Sequence, residues 1–202
     1  MIYNVKYIRS FVMPPKTKIH KELIVSTAYE MTKMNGIDSV TAKAIAKQLN
    51  CSIQPVYWVF ENMDNLRKAI MQEAIKEYDN YLFAEIPNLS KYQAAGWNYI
   101  RFAREQPHLF TLLFMTERQR DTPIAESDLD KNKEYLISLI KNDYVLSDKA
   151  ANDLYVRLWL FSHGVATMIV TKTVSLNDKE IGKMLMDVLN GLLQVIKKEN
   201  NL

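Results

Sequence analysis

The chain has 202 residues, 48% of them apolar and 24% charged, a balance that supports a buried core and excludes disorder. Five glycines and six prolines are too few for the turns of an all-β fold. A lone cysteine, Cys51, excludes an internal disulfide and any paired-cysteine zinc clasp, and makes the reducing cytoplasm the expected compartment. The net charge of +3 is unevenly spread: residues 1–75 carry 10 Lys and Arg against 6 Asp and Glu, residues 76–202 carry 16 against 17.

At the start, MIYNVKYIRSFV is interrupted by Asn4, Lys6 and Arg9 and lacks the apolar run of a signal peptide. Met13 opens the stretch MPPKTK, so residues 1–12 read either as an extension or as an upstream start. A first helix is expected from about Lys16 to Asn35, stopped by Gly36, with Ile24, Thr27, Ala28 and Met31 on its inner stripe. A second opens after Thr41, which can cap it; Ala44, Ile45 and Leu49 face inward, leaving Lys43 and Lys47 outward. Asn50 and Cys51 make a turn, Asn50 being tolerant of the left-handed conformation.

Ser52 is the expected cap of a short third helix, with Pro55 inside its first turn and Val56 and Phe60 buried. Asp64 is the expected cap of the fourth, with Leu66, Ile70 and Ala74 inward. Further helices are expected before Pro107, from His108, around Asp130 to Lys141, from a Ser147 cap to about Lys172, and from an Asn177 cap onward. The polar stretch QRDTPIAESD reads as the main loop. The longest apolar run, Leu158 to Val170, is too short to span a bilayer and contains Ser162 and His163, so no membrane partner is expected. About nine helices, no strand and no repeat make an all-α protein.

Helix, tight turn and short helix are the outline of a DNA reader. The run TAKAIAKQLNCSIQPVYWVFENMDNL resembles the DNA-binding domain of the tetracycline-repressor (TetR) family of bacterial regulators. The marks are the helix closed by Gly36, Thr41 at the second helix, Ala-x-x-Leu before the turn, Tyr-x-x-Phe ending the third helix, and Asn-x-x-x-Leu opening the fourth. The resemblance implies a helix-turn-helix unit over residues 13–62 and an effector-binding and dimerisation unit over 63–202. It implies a homodimer on double-stranded, palindromic DNA, with repression relieved by an unidentified small molecule. By position, Ser52, Ile53, Gln54, Pro55, Tyr57 and Trp58 match the family's DNA-facing residues, and Thr41 and Lys43 its backbone contacts. The sequence departs from the family at Glu61 and Met63, where lysines are common, and at Trp58-Val59, where a His pair is common.

The third helix carries no Lys or Arg of its own. Phosphate contacts position a reader and base contacts specify, so the charge can come from Lys43 and Lys47, from Lys16, Lys18 and Lys21, and from Lys68. Gln54 suits a bidentate pair with adenine, Ile53 and Pro55 suit thymine methyls, and the Tyr57 hydroxyl suits a phosphate. Trp58 fits either sugar-phosphate or a seat against the first helix.

In the C-terminal part, Trp97, Arg101, Phe110, Phe114, Tyr155, Trp159, His163 and Thr167 combine aromatic walls with a few polar groups, the make-up of an effector pocket; an ordinary core uses the same walls. Leu185, Val188, Leu192 and Ile196 lie at helical spacing on the last helix and are the expected dimer contacts. An enzyme is not expected: His20, His108 and His163 have no metal-ligand spacing, and glycine loops and nucleophile motifs are absent. No cofactor or metal is expected. The alternatives are a helical adaptor and a DNA binder without an effector.

Overall fold

A computed structural model describes residues 19–115 and 132–200. Those residues form nine α-helices and contain no strand. The first four are α1 (Lys21–Asn35), α2 (Ala42–Gln48), α3 (Gln54–Phe60) and α4 (Met63–Leu82). They are followed by α5 (Lys91–Glu105), α6 (Pro107–Phe110), α7 (Lys133–Tyr144), α8 (Asp148–Val170) and α9 (Asp178–Glu199). A short 3-10 turn, Ile37–Ser39, links α1 to α2, and a π turn, Thr111–Met115, prolongs α6. The expected loop at 119–128 and the stretch 1–12 lie outside the described residues, as do Lys16 and Lys18.

Several helix starts follow side-chain chemistry. Thr41 Oγ1 accepts from the Ala44 N–H at 3.1 Å, and Ser147 Oγ accepts from Ala150 at 3.3 Å. Ser90 with Gln93, and Asn177 with Glu180, close reciprocal capping boxes on α5 and α9. Two expected caps are corrected. Ser52 lies one residue too early, because Ile53 already has helical dihedrals and occupies the cap position without any capping bond. Asp64 sits inside the first turn of α4, where Asn62 is the cap and accepts from Asn65 N–H at 2.9 Å. Asp64 instead makes an exposed pair with Arg67 at 3.5 Å.

The inner face of α2 is Ala42, Ile45 and Ala46; Ala44, expected inward, is only half-buried, because the helix begins one residue after Thr41 and packs through that neighbouring stripe. The α7 segment starts at Lys133 and runs past Lys141 to Tyr144. On α1, Ile24 and Ala28 are fully buried and Thr32 Oγ1 donates to the Ala28 carbonyl at 2.9 Å. One apolar cluster runs through the described residues, from Ile24 on α1 through Leu66 and Ile70 on α4 to Ile196 on α9. The α4 helix packs on α1 and α3 at one end and on α5 further along, and α5 in turn packs on α8. The interior is therefore continuous across the boundary expected near residue 62.

Candidate nucleic-acid interface and the helical unit behind it

The α2–α3 geometry grows from three local devices. Asn50, at φ 50°, takes the left-handed turn, and the Cys51 N–H donates to the Ala46 carbonyl at 2.9 Å. Pro55 occupies the second position of α3, where no intrahelical N–H is lost, and it is half-buried. Val56 and Phe60, four apart, are sunk into the core and fix the rotation of α3 about its axis. Glu61, at φ 55°, ends the helix, its N–H donating to the Tyr57 carbonyl at 2.9 Å.

That rotation decides what α3 shows to solvent. Ile53, Gln54, Tyr57 and Trp58 are all exposed, as is Ser52. Trp58 is 77% exposed, which removes the seat against α1 as a description of this chain. Lys43 and Lys47 are exposed on α2 and make no ion pair among the described residues, and Lys68 on α4 is likewise unpaired. Lys21 lies over the Phe60 ring, 5.6 Å from its centroid, which ties the start of α1 to the end of α3. The structure thus brings a face with hydrogen-bonding and apolar groups but no charge next to unpaired ammonium groups.

Behind this unit, the expected pocket residues do not share one setting. Phe110, Phe114, Trp159 and His163 pack together. The His163 ring stacks against Trp159 at 5.3 Å and against Phe110 at 5.9 Å, and the Phe110 and Phe114 centroids are 5.0 Å apart. His163 Nδ1 shares a 2.8 Å hydrogen bond with the buried Tyr99 hydroxyl, and burial lowers its pKa below the usual 6.5. Arg101 lies elsewhere, its guanidinium 5.1 Å from the Tyr81 ring centroid and its Nε 4.0 Å from Glu105. Trp97 borders a cavity of about 60 Å³ between α5, α8 and α9, together with Leu158, Leu185 and Leu189. Tyr155 is half-buried on α8, and Thr167 Oγ1 is buried without a hydrogen-bond partner.

A larger hollow of about 880 Å³ opens where α4 turns into α5, against α7, and none of the expected pocket residues borders it. Tyr99 reads in the sequence only as one more aromatic wall, and its bond to His163 was not foreseen; Asn98, fully buried and donating through Nδ2 to the Ala84 carbonyl at 2.7 Å, was passed over. A polar residue at core spacing between Ala94, Ala95 and Phe102 was the available signal for Asn98.

Of the expected dimer contacts, Ile196 is fully buried and Leu185 nearly so, both within their own chain, while Val188 and Leu192 are half-buried. On these last two helices the large apolar groups that remain exposed are Val156, Trp159, Leu160 and Met168 on α8, and Met184 and Val195 on α9. Among the described residues, no helix is long and apolar enough to cross a membrane.

The fold and this face define a helix-turn-helix protein with a larger helical unit behind its reader. Residues 92–191 match the family model described as Tetracyclin repressor-like, C-terminal domain. A segment of 60 residues is 30% identical to an HTH-type transcriptional repressor of Mycobacterium tuberculosis (strain H37Rv), covering 30% of this chain and 23% of that one. An uncharacterized HTH-type transcriptional regulator of Mycobacterium bovis matches to the same extent. These matches span about a quarter of the curated relatives' length. In fold, the chain is similar to the crystal structure of a TetR-like transcriptional regulator from Rhodococcus sp. RHA1, with a TM-score of 0.60 at 17% identity, over 86% of this chain and 92% of that one. The chain belongs to the TetR family of regulators.

Proposed function

We propose that this protein is a non-enzymatic transcriptional repressor that binds a palindromic operator as a homodimer and releases it when a small molecule binds the C-terminal unit. The carrying observation is the outward set Ile53, Gln54, Tyr57 and Trp58 on α3, beside the unpaired Lys43 and Lys47 on α2. Gln54 reads adenine through its amide, Ile53 and Pro55 pack on thymine methyls, and Thr41, Ser52, Tyr57 and Trp58 bear on the sugar-phosphate chain. Lys43 and Lys47 neutralise phosphate, so binding falls steeply with salt.

Residues 13–62 do the reading and 63–202 the sensing and pairing. The exposed apolar residues of α8 and α9, with Val188 and Leu192, support pairing of two chains through a four-helix face. Coupling between the units is supported by α6. The His108 ring lies 3.4 Å from where a Cβ on Gly36 would stand, and Phe110, two residues on, packs against His163. A ligand that shifts α6 changes the angle of α1 and, with it, the spacing of the two readers. Such a ligand must bind the released form better than the DNA-bound form.

Fluorescence anisotropy with DNA flanking the protein's own gene tests the proposal. Specific, salt-dependent binding of one dimer per site is expected; equal affinity for scrambled DNA at every salt concentration would refute it.

A further inference from the structure

We infer that the 880 Å³ hollow at the α4–α5 corner is a binding site for an amphipathic organic cation. Its size falls within the roughly 300–1,000 Å³ of small-molecule sites. One wall is aromatic: Phe83 and Tyr135 meet edge to face at 5.6 Å, and each remains 44% exposed although a neighbour is at hand to cover it. Leu139 adds apolar surface beside them. Such walls take a hydrophobic body, and ring faces attract a cation.

The charge at the rim is chosen by carboxylates. Glu85 and Asp143 border the hollow, are exposed, and make no ion pair among the described residues. Asp143 sits in the last turn of α7, where a carboxylate adds to the negative end of the helix instead of offsetting it. The nearby Lys141 does not relieve it, being paired with Asp148. The α4 helix also ends here, with no basic residue in its last turn, so a second negative helix end borders the space. One lysine, Lys91, stands on the opposite lip at the start of α5. That helix end is already closed by its capping box, and the long lysine stem lets its ammonium remain in water.

The corner is held in place from behind. Asn98 donates to the Ala84 carbonyl, Asn132 Nδ2 donates to Asp79 Oδ1 at 2.8 Å, and the Leu89 N–H donates to Ile86. The walls therefore exist before a ligand arrives, which removes the cost of ordering them.

The test uses two probes of one shape and opposite charge, tetraphenylphosphonium and tetraphenylborate, titrated calorimetrically into the full chain. The phosphonium should bind once per chain, at least tenfold tighter than the borate. Glu85→Gln with Asp143→Asn should lower phosphonium affinity at least tenfold with an unchanged melting curve, Phe83→Ala should also lower it, and Lys91→Ala should raise it. Equal affinities, tighter borate binding, or phosphonium binding that survives the double substitution overturns the site. The role of this site as the effector site rests on the repressor reading, and a separate readout tests that. Phosphonium bound in the calorimeter that leaves a protein–operator complex intact overturns the effector role, whereas a chain that binds no DNA overturns the repressor reading alone.

Discussion

Lys43 and Gln54 stand exposed on neighbouring helices, and the proposed interface gives them different duties. Lys43 is an unpaired ammonium, so Lys43→Ala should weaken specific and scrambled duplexes alike and flatten the salt dependence of binding. Gln54→Ala should cost about 1–3 kcal/mol on the specific duplex and relax the preference at one base pair per half-site. Tyr57→Phe should cost on the order of 1 kcal/mol with the preference kept. Titrations of the three variants at several salt concentrations check this; a Gln54→Ala loss shared by both duplexes would invert the assignment. His163 offers a residue-scale test of a different kind. Burial depresses its pKa in the folded chain, so the unfolded chain binds the proton more readily. Stability should be full above the usual value of 6.5 and be lost as the pH falls below it towards the folded value. Melting temperatures at neutral and mildly acidic pH should fall further for the natural chain than for His163→Gln; equal falls would contradict it.

At the scale of elements, caps separate what sequence spacing reveals from what it hides. Thr41, Ser147 and Asn177 were legible, because each is a capping residue directly before an apolar period. Ser52 and Asp64 looked equally suitable, but backbone angles decide: Ile53 is already helical, and Asn62 is extended, at φ −148° and ψ 167°. Thr41→Ala and Asn62→Ala should each cost about 1 kcal/mol of stability, whereas Ser52→Ala should cost almost none. Urea denaturation checks the difference, and a Ser52→Ala loss equal to the other two would restore it as a cap. The exposed face of α3 was legible from Val56 and Phe60 alone, since two buried positions fix a helix's rotation. The setting of Arg101, the Tyr99–His163 bond and the α4–α5 hollow were not, because each depends on how separate helices cross.

For the whole molecule, the last helix has two apolar sides, and periodicity does not say which of them the proposed second chain would cover. Ile196 and Leu185 are covered by their own chain, so a charge there should unfold it, at a cost above roughly 4 kcal/mol. Leu160, 57% exposed on α8, is free of that duty. Leu160→Glu with Val188→Glu should give folded monomers that no longer hold the operator tightly, whereas Ile196→Glu should give no folded protein. Light scattering with circular dichroism distinguishes the cases; a natural chain that is monomeric at all concentrations would refute the paired state.

The continuous interior also decides where this chain can be spliced into a hybrid sensor. A chimaera joined at residue 62 would take α1 to α3 away from Leu66 and Ile70, which belong to the same apolar cluster as Ile24 and Val56. The transplanted reader would lose its floor and melt, however well its surface matched the new operator. The α4 helix, 20 residues and about 30 Å long, is a shared beam whose first half belongs with the reader. A junction that respects it lies within α4, beyond Ile70, with the recipient's own continuation matched turn for turn. Such a hybrid should keep the donor's operator preference while answering to the recipient's signal.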